Sequence, residues 1–278
     1  MNPLAGIAFS KLEALGNDFV LLDHRAGQGL PTPGEVQALA DRHSGIGFDQ
    51  LLILQAPTRD DADCRVRIFN ADGSPASQCG NGMRAIALWL GDEAPGRQRF
   101  VLETDSGLIT IEHLSADGFR VDMGRPDFAP ARSGLSDSAW LQQRVSAIPG
   151  CLRAGTVSIG NPHLVLVLTA PLAAEVVAEQ GRQLATDRHF TDGANISFAT
   201  RDETGRILLQ VYERGVGPTR ACGSAACASA AFLIHHGLLP GPVEVDQPGG
   251  RLVIDWRDED APLFMTGPAR RVFDGTLK

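Results

Sequence analysis

Two cysteines, Cys79 and Cys222, stand where a thiol becomes reactive. Each precedes a glycine and opens an apolar run: Cys79-Gly80-Asn81-Gly82 leads into Met83–Leu90, and Cys222-Gly223-Ser224-Ala225 into a run reaching about Ile234. Apolar residues on nearly every side predict buried helices. Each sulfur then sits at a helix N-terminus, where unpaired N–H groups and the helix dipole stabilise a thiolate. The same N–H groups favour an anion such as a carboxylate. Two such thiols on opposite faces of one carbon can invert a stereocentre, one taking the α-proton as thiolate and the other returning a proton as thiol. Helix N-termini directed at an α-carboxylate would stabilise the carbanion by fixed dipoles.

The elements that must position these cysteines recur along the chain. Cys79 and Cys222 are 143 positions apart, and so are Asn70 in Ile-Phe-Asn and Glu213 in Val-Tyr-Glu. Gly16-Asn17-Asp18-Phe19 and Gly160-Asn161-Pro162-His163 match at 144, and Gln50 and Asn195, each ahead of an apolar strand, more weakly at 145. Four matches in one order predict a duplicated domain. In chain order, strands are expected at Ala8–Asp23 around a Leu15-Gly16-Asn17-Asp18 turn, a helix from a Thr32 capping box to about His43, and strands at Leu51–Gln55 and Cys64–Phe69. After the first buried helix come strands Arg99–Glu103, Leu108–Leu114 and Phe119–Met123, joined by Ser106-Gly107 and Asp117-Gly118 turns. The second half is expected to give strands at Gln143–Ile148, Gly155–Ile159 and up to Leu168, a helix Leu172–Leu184, strands Asn195–Ala199 and Ile207–Glu213, then the second buried helix. Short strands near Val243–Asp246, Leu252–Trp256, Leu263–Thr266 and Arg271–Phe273 close the chain. The turn-prone Gly124-Arg125-Pro126-Asp127 marks the expected boundary. The fold class is α+β: two similar domains, each a curved mixed β-sheet wrapped around one buried helix.

Composition narrows the function classes. A chain of 278 residues suits two domains, and 43% hydrophobic with 21% charged residues is ordinary for a globular enzyme. A net charge of −8 argues against a nucleic-acid partner. No apolar stretch is long enough to span a membrane, and the first residues lack a secretion signal, so a cytoplasmic location is expected. Five cysteines, an odd number without Cys-x-x-Cys spacing, argue against structural disulfides. No Rossmann, P-loop or pyridoxal pattern supports a cofactor, and the seven histidines lack zinc-ligand spacing, so neither cofactor nor metal is expected.

The chain resembles the diaminopimelate epimerase family, cofactor-independent enzymes that interconvert LL- and meso-diaminopimelate. The resemblance rests on Leu15-Gly16-Asn17-Asp18-Phe19, Gly45-Ile46-Gly47-Phe48-Asp49-Gln50, Phe69-Asn70-Ala71-Asp72-Gly73, Gln78-Cys79-Gly80-Asn81-Gly82, Gly160-Asn161-Pro162-His163, and Tyr212-Glu213-Arg214-Gly215 with Ala221-Cys222-Gly223-Ser224. It implies Cys79 and Cys222 as the two bases and His163 and Glu213 as modulators of their pKa values. Gly80, Asn81, Gly223 and Ser224 would hold the α-carboxylate. Asn17, Gln50, Asn70, Asn161, Asn195, Glu213 and Arg214 would hold the ammonium groups and distal carboxylate. It further implies domains of residues 1–124 with about 267–278, and 125–266, the chain end returning to the first domain, and a homodimer. Ala225 and Ala14 stand where the family usually has glycine. Ala225 suits a helix interior but bears on backbone packing beside the substrate.

Three rival readings differ in testable ways. A proline or hydroxyproline racemase of the same superfamily would not need Arg214 and the asparagines for a second carboxylate. A thiol-disulfide oxidoreductase would use a Cys79–Cys222 disulfide. A non-catalytic amino-acid binding protein would exchange no α-proton. Cys64 and Cys227 read as packing, Cys151 after Pro149-Gly150 carries no functional signal, and Asp49, Asp72 and Asp258-Glu259-Asp260 read as turn and solvated surface.

Overall fold

The computed structural model describes residues 4, 6–76, 79–114 and 118–278. Ser77 and Gln78 of the cysteine loop, and Asp117 of the expected Asp117-Gly118 turn, lie outside them. The chain divides into two compact units, Met1–Val121 with Gly267–Lys278, and Asp122–Thr266.

The first unit runs β1 (Ala8–Ala14), β2 (Asn17–Asp23), α1 (Pro33–Ala40), β3 (Gln50–Gln55), β4 (Cys64–Asn70), β5 (Pro75–Ala76), α2 (Gly80–Glu93), β6 (Arg99–Thr104), β7 (Gly107–His113) and β8 (Phe119–Asp122). The second runs α3 (Ser138–Ser146), β9 (Cys151–Ser158), β10 (Pro162–Leu168), α4 (Ala174–Ala185), β11 (Asn195–Arg201), β12 (Ile207–Glu213), β13 (Gly217–Thr219), α5 (Gly223–His235), β14 (Val243–Gln247), β15 (Gly250–Asp255) and β16 (Phe264–Gly267). The last strand, β17 (Arg270–Thr276), pairs antiparallel with β1 in the first unit. The whole is a mixed α+β fold.

In the first unit β1 and β2 form a hairpin, β3 lies parallel to β2, and β4 runs antiparallel to β3. β6 is then parallel to β4 and leads into the antiparallel β7 and β8. The parallel step from β2 to β3 needs a crossover, which α1 supplies. Its start is the capping box read from Thr32 and Glu35, but it stops three residues short of His43, because the Asp41 carboxylate takes the His43 and Ser44 N–H groups. Helix α2 packs against β1, β2, β7 and β17. A second apolar layer, built from Val20, Leu22, Val36, Phe48, Leu51 and Ile53, lies under α1. With both faces covered, Phe19–Leu22 and Leu51–Leu54 are buried without alternation.

In the second unit β9 and β10 pair antiparallel, β11 lies parallel to β10 across α4, and β12 runs antiparallel to β11. β14 is parallel to β12, with β15 and β16 following antiparallel. Helix α5 packs against β9, β10, β11, β12, β14 and β15. From Ala225 to Leu233 every one of its residues is buried, and most are alanine or serine, which lets strands approach on all sides. Leu164, Leu166, Val177, Leu184, Ile196 and Phe198 form the layer beneath α4.

The expected strand at Gln143–Ile148 is wrong. Those residues belong to α3 and the turn after it, because Asp137 caps the Ala139 and Trp140 N–H groups and Leu141 and Val145, four apart, bury one helical face. The two short strands β5 and β13 have no counterpart in the sequence reading; each adds only two or three residues to its neighbour.

Candidate active site

Cys79 is the N-cap of α2, and its Sγ accepts the Gly82 N–H at 3.2 Å. A Cβ on Gly82 would stand 3.3 Å from that sulfur and 3.1 Å from Leu52 Cδ2, so the sulfur or the leucine would have to give by a few tenths of an ångström to admit one. Gly82→Ala should therefore lower kcat about tenfold with little loss of stability, since alanine favours the helix by about 1 kcal/mol. Steady-state kinetics beside a melting curve checks this.

The strand register pairs two of the expected polar residues, and a third meets Cys79. Gln50 opens β3 opposite Asn70, which ends β4, and Gln50 Nε2 donates to Asn70 Oδ1 at 3.1 Å. Asn17 opens β2, with its Oδ1 4.0 Å from Cys79 Sγ and 3.5 Å from Asn81 Nδ2. Asn81 and Gly80 lie in the first turn of α2.

Cys222 is the N-cap of α5 and is buried. Its Sγ lies 3.5 Å from Ser224 Oγ, which accepts a hydrogen bond from Asn161 Nδ2 at 3.3 Å. Asn161 Oδ1 in turn is 2.9 Å from His163 Nε2. Burial, reinforced by the Arg214 charge, pushes the fully buried His163 imidazole down to about 3, so it is neutral. Its Nε2 carries the proton toward the Asn161 oxygen, and Nδ1 is a buried lone pair with no hydrogen-bond partner among the described residues. Asn195 opens β11 beside His163 in the parallel register, and its Oδ1 accepts the Arg214 backbone N–H at 2.9 Å. Arg214 is exposed, with Nη1 on the Asp192 carbonyl at 2.6 Å. Glu213 ends β12 and accepts from Thr219 Oγ1 at 2.5 Å.

Burial raises the Cys222 thiol well above the ordinary thiol range, and the Glu213 carboxylate beside it, which also accepts its hydrogen bond, raises it further. The Ser224 hydroxyl opposes this without reversing it. Cys64, buried in β4, is pushed up to about 12 by burial. Both thiols thus hold their protons more tightly folded than unfolded. Their contribution to stability is complete below the unfolded thiol value of about 8.5 and is lost as pH rises through the folded values. Urea midpoints measured from neutral pH upward should fall once pH exceeds about 9.

Each cluster thus collects its residues at one end of its strands, beside one helix start. Three residues entered it unforeseen. Asp49, read as solvated turn, accepts from Asn17 Nδ2 at 2.8 Å, and its place immediately before Gln50 was the available signal. Arg84 is completely buried on α2. Gln247 Oε1 accepts the Cys222 backbone N–H at 2.8 Å, while the Gly249 N–H holds the Arg220 carbonyl at 2.7 Å, so the end of β14 and the turn after it grip the cysteine segment. No cluster of potential metal ligands occurs among the described residues.

A family profile for diaminopimelate epimerase matches residues 9–129 and 155–272. The chain belongs to the diaminopimelate epimerase family. It is 40% identical over 274 residues to the diaminopimelate epimerase of Pseudomonas fluorescens, covering 98% of this chain and 99% of that one. With the enzyme of Azoarcus sp. (strain BH72) the identity is 42% over 276 residues, with the same coverage. The protein is therefore an isomerase of the epimerase type. Among solved structures, a predicted epimerase from Pseudomonas aeruginosa shares the fold with a TM-score of 0.70 at 19% identity, over 98% of this chain and 99% of that one. A hydroxyproline epimerase from Agrobacterium vitis, with bound trans-4-hydroxy-L-proline, gives a TM-score of 0.70 at 13% identity, over 98% of this chain and 92% of that one.

Proposed function

We propose that the protein interconverts LL- and meso-2,6-diaminopimelate by two-base proton transfer, in lysine and peptidoglycan precursor biosynthesis. Cys79 and Cys222 act on the α-carbon, one as thiolate and the other as thiol, and exchange roles when the reaction reverses. The single observation that carries this is that both cysteines cap buried helices, each with a polar cluster beside its sulfur. The first-turn N–H groups around Gly80, Asn81, Gly223 and Ser224 hold the α-carboxylate and spread the carbanion's charge. Glu213 and neutral His163 adjust Cys222, the first by direct contact and the second through Asn161 and Ser224.

Asn17, Gln50, Asn70, Asn161, Asn195, Glu213 and Arg214 hold the remaining ammonium and carboxylate groups. Arg214 uses only Nη1 on Asp192 in the hydrogen bonds described, leaving its other donors for a distal carboxylate. This favours a dicarboxylate over a cyclic monocarboxylate such as proline. Arg214→Leu should raise KM for diaminopimelate roughly a hundredfold with a smaller change in kcat. An unchanged KM would remove Arg214 from the site.

The succession of strand pairings is the same in both units: hairpin, parallel crossover, antiparallel partner, buried helix, parallel return. That supports descent from a duplicated domain, with residues 1–124 and about 267–278 forming one copy and 125–266 the other. A cytoplasmic homodimer is part of the same reading; the apolar Val272 and Phe273, each about half exposed on β17, suit a self-interface. The deciding experiment incubates the protein with LL-diaminopimelate in deuterium oxide. Meso product carrying α-deuterium is expected, and turnover of proline or hydroxyproline in its place would sink the assignment.

A further inference from the structure

Asparagine side chains are ambiguous switches, because oxygen and nitrogen exchange places on a half-turn. Two of them stand beside Cys79, and each is tied to a charged group that can play only one part. Arg84, an obligate donor, gives Nη2 to Asn81 Oδ1 at 3.0 Å and Nε to the Pro268 carbonyl at 3.2 Å. With its oxygen occupied, Asn81 presents Nδ2 to Asn17 Oδ1 at 3.5 Å. Asp49, an obligate acceptor, takes Asn17 Nδ2 at 2.8 Å. The hydrogen bonds therefore run one way, from Arg84 through Asn81 and Asn17 to Asp49. Asp49 is itself held: Arg42 Nη2 donates to it at 2.8 Å while gripping Asp18 with both nitrogens, at 3.0 and 2.7 Å. Arg84 is wholly buried, an expensive place for a cation unless its hydrogen bonds are needed.

The consequence falls on the sulfur. The chain leaves the Asn17 oxygen, not its N–H₂, facing Cys79 Sγ at 4.0 Å. An oxygen there welcomes a thiol hydrogen and opposes a thiolate.

We propose that Arg84 and Asp49 are positioning residues for Cys79, locking the Asn17 carboxamide from opposite ends so that its oxygen fixes the direction in which the thiol presents its proton. The inference rests on Cys79 serving as one of the two bases. Loss of the lock lets the carboxamide turn its N–H₂ toward the sulfur, which stabilises the thiolate and misdirects the proton.

The test reads Cys79 alkylation by iodoacetamide at neutral pH in a Cys222→Ala background, without substrate. Asp49→Asn and Arg84→Gln should each speed alkylation about fivefold, since the thiolate is the nucleophile and gains a donor. In the Cys222-containing protein both should lower kcat about tenfold. Arg84→Lys, which keeps an obligate donor, should restore most of the rate. Charge alone would move the two alkylation rates in opposite directions, because one variant removes an anion and the other a cation. Opposite signs, or no change in either, would overturn the lock. Where Arg84→Gln fails to fold, Asn17→Leu takes its place: it removes the oxygen without altering charge and should also accelerate alkylation, and an unchanged rate overturns the proposal. These alkylation rates do not depend on turnover, so they stand or fall separately from the two-base assignment, which full activity in Cys79→Ala would refute.

Discussion

Alanine at Cys222 or at Cys79 is expected to abolish interconversion of LL- and meso-diaminopimelate, with turnover falling by roughly a thousandfold or more in each variant. On the proposed two-thiol mechanism a proton is removed on one side of the carbon and another delivered on the opposite side, so a single remaining thiol would not complete the cycle. Both replacements are small. Each deletes one sulfur and leaves the α2 or α5 backbone with its first-turn N–H groups, so melting temperatures should change by only a few degrees, in line with a loss of about 1 kcal/mol. Activity and melting measured on the same preparations separate chemistry from folding. If either variant retained substantial turnover, the two-thiol assignment would have to be abandoned.

The second large effect is expected from Glu213→Gln. The Glu213 carboxylate lies beside a buried thiol, accepts its hydrogen bond, and is itself fixed by Thr219. An amide cannot hold the proton in the same way, and kcat should fall roughly a hundredfold. The pH profile should move as well, with a defined sign. An anion beside a thiol raises its pKa, so removing the anion lowers it, and the ascending limb governed by Cys222 should shift to lower pH. Burial remains the larger cause, so the thiol of the variant should still titrate above the ordinary range. A limb unchanged or displaced upward would mean that Glu213 does not act on Cys222.

Much of the molecule was legible in the residue order. Ile207–Glu213 is a strand in the structure as in the reading, since alternation between a core face and a wetter one leaves its mark on every second residue. The Thr32 cap and both buried helices were equally plain, because capping and all-round apolarity are local properties. The strand expected at Gln143–Ile148 is instead the end of α3 and the turn after it. Val145-Ser146-Ala147-Ile148 looks β-prone in isolation, and the Asp137 cap with the packing of Leu141 and Val145 outweighs that propensity.

The site divides along the same physical line. Cys79, Cys222 and the polar residues at strand ends announce themselves by type, by the glycines around them and by recurrence along the chain. Asp49, Arg84 and Gln247 do not. An aspartate in a turn, an arginine in an apolar helix and a glutamine before Pro-Gly-Gly are each commonplace in sequence. Their roles exist only where hydrogen-bond partners far apart in the chain meet: Arg84 reaches Pro268, Asp49 reaches Asn17, and Gln247 reaches Cys222. The order of residues by itself singled out the candidate atoms for chemistry and the helices that carry them. Only the tertiary structure decided which way each amide points, how deeply each thiol is buried and which charge stands beside it, because hydrogen bonds and desolvation depend on distances that the chain sets by folding.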